Sequence, residues 1–222
     1  MIQKLFIIDF YNADVFCSFS DSDNVSDDIK ELVKKILKPK YIEWIKTDNP
    51  YNITHKITFN SYLMFKKIYL CNQYKLKYEL INNFKYDLVI RIRPDICIFT
   101  KIPQIDFSKN ILYLPEYKSK SVTYISAIFS KTPDNIALSN SYVMDRYSDA
   151  YKYFILKISS SPIILPEVML KEYLIENKIR FEKIIYPWIL YRYSFDLSNL
   201  KNINDIKSII ISKVFEYIKY HH

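Results

Sequence analysis

The chain has 222 residues, half of them hydrophobic, a formal net charge of +8 and no glycine. That length and apolar content suffice for one domain with a large core. The missing glycine excludes phosphate-cradling loops of the GxGxxG and GxxxxGK kinds, whose backbone needs positive φ and close approach. Any phosphate the chain binds must then be held by side chains, helix ends or a metal.

Taken in order, Leu5 to Phe10 and Asp14 to Phe19 are short runs rich in Ile, Val and Phe, and predict strands. Ser20 to Asn24 reads as a loop. Ser26, followed by Asp27 and Asp28, predicts a capped helix through Leu37, with Ile29, Leu32, Val33, Ile36 and Leu37 at helical spacing. Lys34, Lys35, Lys38 and Lys40 cluster at its end, where cations suit the helix dipole. Tyr41 to Ile45 predicts a strand, and Thr47 to Asn52 a turn around Pro50.

Ser61 to Phe84 is the longest helical pattern. Its apolar face is read as Leu63, Ile68, Leu70, Tyr74, Tyr78, Leu80 and Ile81, and its solvent face as Lys66, Lys67, Lys75, Lys77 and Glu79. Leu88 to Ile92 predicts a strand that Pro94 must end. Ile111 to Leu114 and Thr123 to Phe129 are further strand candidates. Asp134 opens a helix or loop leading into a helix over Tyr142 to Ile158. Pro166 suits the first turn of a helix running to Asn177, Ile179 to Ile185 predicts a late strand, and Ile206 to Tyr220 a terminal helix. Alternation of strands and helices argues an α/β class.

Cys17, Cys71 and Cys97 lie in apolar runs without a CxxC spacing, and read as small buried hydrophobes of a reducing compartment. Met1 to Phe10, interrupted by Asp9, does not read as a signal peptide. No apolar stretch reaches the roughly 18 residues of a membrane span. A cytoplasmic protein is therefore expected, with peripheral membrane contact left open.

The segment richest in chemistry is Tyr86-Asp87-Leu88-Val89-Ile90-Arg91-Ile92-Arg93-Pro94-Asp95. It brings two arginines and an aspartate to a strand's carboxyl end, where open α/β sheets bind ligands. Arginine suits phosphate, and a carboxylate suits a hard divalent cation; an Arg–Asp pair that merely closes a loop is the competing reading. Asp21-Ser22-Asp23 is a literal Asp-x-Asp, but a Ser/Asp/Asn run before a helix is ordinary turn chemistry. Trp44 and Trp188 are candidates for stacking on a base or sugar.

The segment resembles the metal-site strand of viral and bacterial GT-A-type glycosyltransferases, among them the N-terminal domain of a chlorovirus glycosyltransferase and polysaccharide-assembly enzymes. Ala13-Asp14-Val15-Phe16, Tyr78-Glu79 to Phe84, Pro133-Asp134 to Leu138 with Met144-Asp145-Arg146-Tyr147, Ile164-Leu165-Pro166-Glu167 to Leu170, and Tyr191-Arg192 agree with that family's pattern in order. The resemblance departs from it in having Arg93-Pro94-Asp95 for the usual Asp-x-Asp, and a short segment without Gly or Arg ahead of Ala13.

The resemblance implies a single GT-A-like domain over residues 1–222, with a mixed, mostly parallel central sheet flanked by helices. Residues 1–100 would form the nucleotide-sugar-binding half and 101–222 the acceptor half. It implies a metal-assisted transferase moving a sugar from a UDP-sugar to a glycan or lipid-linked acceptor. Asp95 would hold Mn²⁺ or Mg²⁺; Arg91, Arg93, Asp14 and Arg192 would bind the nucleotide sugar; Glu167 is the first choice of base and Asp134 the second. The alternative is a catalytically degenerate or basic module binding nucleotide or nucleic acid. No zinc-finger, RRM or helix-turn-helix pattern supports a nucleic-acid partner. The sequence leaves the sugar, the stereochemical outcome and the oligomeric state open.

Overall fold

A computed structural model describes residues 8–9, 11–21, 25–93, 96–98, 105–116, 134–184 and 188–190. The elements expected at Leu5–Ile7, Phe10, Thr123–Phe129 and Ile206–Tyr220 lie outside them. Ile8 and Asp9 form a wide turn, closed by the Ala13 N–H donating to Ile8 O at 2.9 Å, rather than a strand.

Strand β1 (Phe16–Asp21), helix α1 (Asp27–Leu37) and strand β2 (Tyr41–Lys46) make one βαβ unit. The strands pair in parallel, from Phe16 opposite Tyr41 to Asp21 opposite Lys46. Thus Ser20 and Asp21, read as loop, are strand. α1 starts as its sequence dictates: the Ile29 N–H donates to Ser26 Oγ at 3.4 Å, with Asp27 and Asp28 in the first turn and Lys34 and Lys35 in the last. A chain without glycine must fill left-handed positions with other residues. Asn12, Asn52, Asn83 and Asn110 take four of them, and Lys38 and Lys178 two more.

Helix α2 (Lys56–Asn82) is 27 residues long, about 40 Å at 1.5 Å per residue. It covers β1 and packs on α3 (Ser141–Ser148) and α4 (Ala150–Ile158). Its buried face is Thr58, Ser61, Tyr62, Phe65, Asn72, Lys75 and Glu79, so the apolar stripe read from sequence is displaced in its last turns. Leu80 and Ile81 are exposed, whereas Lys75 and Glu79, read as solvent-facing, are buried.

The larger sheet runs β3 (Val89–Ile92), β6 (Ile136–Ser139), β5 (Leu112–Pro115), β7 (Phe181–Ile184). β3–β6 and β6–β5 are antiparallel and β5–β7 is parallel, so this sheet is mixed but not mostly parallel. A further antiparallel pair joins β4 (Ile96–Ile98) to β8 (Trp188–Leu190). Side-chain alternation splits the core between the two faces. Leu112, Leu114 and Ala137 pack with Tyr62, Phe65, Tyr147 and Phe154 of the helices and with α5 (Pro166–Glu176), while Ile111, Tyr113, Ile136 and Leu138 pack with Ile96 on the other face. Both clusters draw residues from either side of position 100. No helix among the described residues is long and apolar enough to cross a membrane.

Candidate functional site

Alternation along β3 decides where its arginines go. Leu88, Ile90 and Ile92 join the cluster away from the helices, and Val89 joins the helix-side cluster. Arg91 and Arg93 continue the Val89 face towards α2 and α3. Because β6 runs antiparallel to β3, its entry lies opposite the exit of β3: Ile92 pairs with Ile136, and the Arg93 N–H donates to Asn135 O at 3.0 Å. That places Asp134 beside Arg93, with Oδ2 3.9 Å from Nη1, the outer limit of an ion pair. Asp134 is 6% exposed and precedes a strand. It opens no helix; the α3 cap is Asn140, whose Oδ1 accepts from the Val143 N–H at 3.0 Å.

Arg91 makes no ion pair among the described residues, and its Nη1 is buried without a hydrogen-bond partner. The Tyr147 hydroxyl and Asn135 Oδ1 are likewise buried without partners. Burial raises the Tyr147 hydroxyl above its usual range, with the Arg91 charge opposing and the Asp134 charge adding to that rise. From α2 comes Lys67, whose Nζ donates to Ser20 Oγ at 3.0 Å. Burial holds its ammonium below the usual lysine range, and the positive charges of Arg93 and then Arg91 lower it further. Cys71, one turn further along α2, donates to Phe16 O at 3.7 Å. Its thiol is pushed up to about 12, by burial first and by Cys17 next, so it stays protonated.

Lys67 and Arg91 therefore lie near Arg93 and Asp134, where β1 and β3 end. Sequence reasoning found Arg91, Arg93 and Asp134 and missed Lys67, Ser20 and Tyr147. Nothing in the sequence separates Lys67 from Lys66, which pairs with Asp48 at 2.7 Å on the surface. Only the orientation of α2 against β1 distinguishes them.

The other expected site residues do not join this group. Asp14 lies ahead of β1, where Oδ2 accepts from the Tyr86 hydroxyl at 2.6 Å and Oδ1 pairs with Lys40 Nζ at 3.3 Å. β1 then runs about 16 Å, five steps of 3.3 Å, before reaching Asp21. Asp14 thus serves the amino ends of the strands, beside a cleft of about 430 Å³ lined by Ala13, Leu37 and Lys38 among others, and shares no site with Arg91. Glu167 is half-buried in the first turn of α5, where Pro166 begins the helix and Leu165 offers no side-chain cap. The Ile164 N–H donates to Thr58 Oγ1 at 3.0 Å, which ties this turn to the α2 end lying beyond the exit of β1. Asp87 is exposed. Asp21 of the Asp-x-Asp pairs with Lys30 at 2.8 Å; Ser22 and Asp23 lie outside the described residues, as do Asp95, Arg192 and the Trp188 side chain. Trp44 stacks on Phe19, ring centroids 5.0 Å apart, with Lys30 over its ring.

No three His, Cys, Asp or Glu side chains converge as a metal-ligand set among the described residues. The carboxylate beside the arginines faces a guanidinium instead. The expectation of a divalent cation accordingly falls on Asp95, which lies outside the described residues. Compared with known proteins, the chain matches no family model and no curated protein.

Proposed function

We propose that the chain is a GT-A-like glycosyltransferase that moves a sugar from a nucleotide-diphosphate sugar, a UDP-sugar, to a glycan or lipid-linked acceptor. The observation that carries this reading is the placement of Arg91 and Arg93 on the helix-side face of β3 at its carboxyl end, with the buried Arg91 Nη1 lacking a partner. Glycosyl transfer releases a diphosphate whose charge grows as the sugar–oxygen bond breaks. Fixed guanidinium groups aimed at that charge favour the transition state over the ground state.

The chain's own residues divide the remaining work. Asp134 stands 3.9 Å from the Arg93 guanidinium and biases its position by charge alone. Glu167 has no side-chain partner among the described residues and stands in a first helical turn. It would take the acceptor hydroxyl proton in an inverting transfer. Mn²⁺ or Mg²⁺ would screen the leaving diphosphate, with Asp95 as the protein ligand.

The test is nucleotide release from a set of UDP-sugars with mixed glycan acceptors and Mn²⁺. Wild-type chain should turn over at least one donor, and Arg91→Gln should lose roughly 100-fold or more in turnover. Glu167→Gln should lose turnover while keeping UDP affinity. Tight UDP binding with no release from any donor would instead make the chain a non-catalytic nucleotide-binding module.

A further inference from the structure

Thr58 clips the start of α2 to the approach of α5. Its Oγ1 donates to Pro162 O and accepts from the Ile164 N–H, both at 3.0 Å. Thr58 and Ile164 are buried, at 1% and 6% exposure. Their neighbours Ile57, Ile163 and Leu165 stay open to solvent at 45%, 51% and 40%, and Pro162 is exposed with them. Residues about 100 positions apart in sequence thus share one aliphatic surface, pinned by hydrogen bonds from beneath. Exposed apolar residues scattered singly are ordinary. Leu80 and Ile81 are exposed as well, but they are adjacent residues in the last turn of α2.

Charge says what this surface meets. The chain has 24 acidic residues, yet none from Asn49 to Thr58 or from Ile158 to Pro166. Lys56, next to Ile57, is exposed and makes no ion pair among the described residues. α2 begins without an acidic residue in its first turn and without a side-chain cap, so the positive end of its dipole is uncompensated there.

We propose that Ile57, Pro162, Ile163 and Leu165, with Lys56 at their edge, form a docking surface for an anionic lipid bilayer. The aliphatic side chains enter the boundary between headgroups and acyl chains, while Lys56 and the start of α2 meet lipid phosphates. A soluble anion would satisfy the charge but leave the aliphatic surface in water. An apolar partner would cover that surface and gain nothing from the charge. A bilayer with anionic headgroups meets both. One consequence rests on the transferase reading: Glu167, in the turn that follows Leu165, then works beside the bilayer, and the acceptor is the lipid-linked one.

Flotation of the whole chain with phosphatidylcholine vesicles, with and without about 30% phosphatidylglycerol, tests the surface. The chain should float with the anionic vesicles and far less with phosphatidylcholine alone. Ile163→Ser combined with Leu165→Ser should weaken that binding by about tenfold or more. Leu80→Ser combined with Ile81→Ser removes as much exposed aliphatic surface elsewhere and should leave binding unchanged. Should the first pair fail to fold, Ile163→Trp supplies a second readout. Its added emission should shift to the blue on anionic vesicles and be quenched by brominated acyl chains, whereas that of Leu80→Trp should do neither. Absence of flotation, equal losses in the two pairs, or an Ile163→Trp emission blind to vesicles overturns the surface. A dimer that Ile163→Ser with Leu165→Ser abolishes, without vesicle binding, assigns the patch to a second copy and overturns it too. Vesicle binding without sugar transfer keeps the surface and removes the transferase reading; transfer to a soluble glycan without vesicle binding does the reverse.

Discussion

Lys75 Nζ lies 3.2 Å from Glu79 Oε2 one helical turn further on, with the two side chains only 4% and 0% exposed. The ammonium also pairs with Asp145 Oδ1 at 2.8 Å and donates to Ser141 Oγ. Asn72 Nδ2 donates to the same Asp145 oxygen at 3.0 Å. Glu79 in turn accepts from Lys85 Nζ at 2.8 Å and from the Tyr86 N–H at 3.0 Å. This network joins the end of α2, the start of α3 and the approach to β3, and so holds the strand that carries Arg91 and Arg93.

Removing its central cation should be costly. Lys75→Met leaves Glu79 buried beside fewer positive groups and is expected to lower stability by about 3–5 kcal/mol. Urea unfolding measures this, and Lys75→Met combined with Glu79→Leu should recover part of the loss. Equal midpoints for wild type and Lys75→Met would count against the network.

The same carboxylate sets an acid limit. Burial acts to raise the Glu79 pKa, but hydrogen bonds from Lys85, Ser141 and the Tyr86 N–H, with the charge of Lys75, outweigh it and leave it lowered. An acid depressed on folding contributes stability that is full above its unfolded value, near 4.5, and is lost as pH falls through the folded value. Unfolding midpoints measured from about pH 6 to pH 3 should therefore fall more steeply in wild type than in Glu79→Gln.

Arg91 should behave in the opposite way to Lys75. Its buried Nη1 has no partner and its charge opposes that of Lys67, so Arg91→Met should leave thermal stability unchanged or raise it by about 1 kcal/mol. UDP binding should fall at the same time. A large loss of stability in Arg91→Met would assign Arg91 a structural role.

Asp14 offers a control at the other end of the strands. Tyr86→Phe removes the hydroxyl that donates to Asp14 at 2.6 Å and should cost about 1 kcal/mol of stability. UDP affinity should not change. A parallel drop in affinity would return Asp14 to the ligand site.

Sequence alone determined what depends on near neighbours. Ser26 before two aspartates caps α1, Pro166 begins α5, and the alternation of β3 sends Arg91 and Arg93 to one face, because capping, proline geometry and the pleat act within a few residues. The tertiary structure decided what depends on residues far apart in the chain. Ile136–Ser139 reads as the approach to a helix, yet it is a central strand because β3 and β5 supply its hydrogen bonds from either side. Lys75 and Glu79 read as a solvent-facing pair, yet they are buried because Asp145, about 70 residues away in sequence, meets them from α3. Lys67 is set apart from Lys66 only by which side of α2 rests on β1. Charge, unlike helical period, has no fixed side: a lysine faces inward or outward according to what a distant segment places beside it.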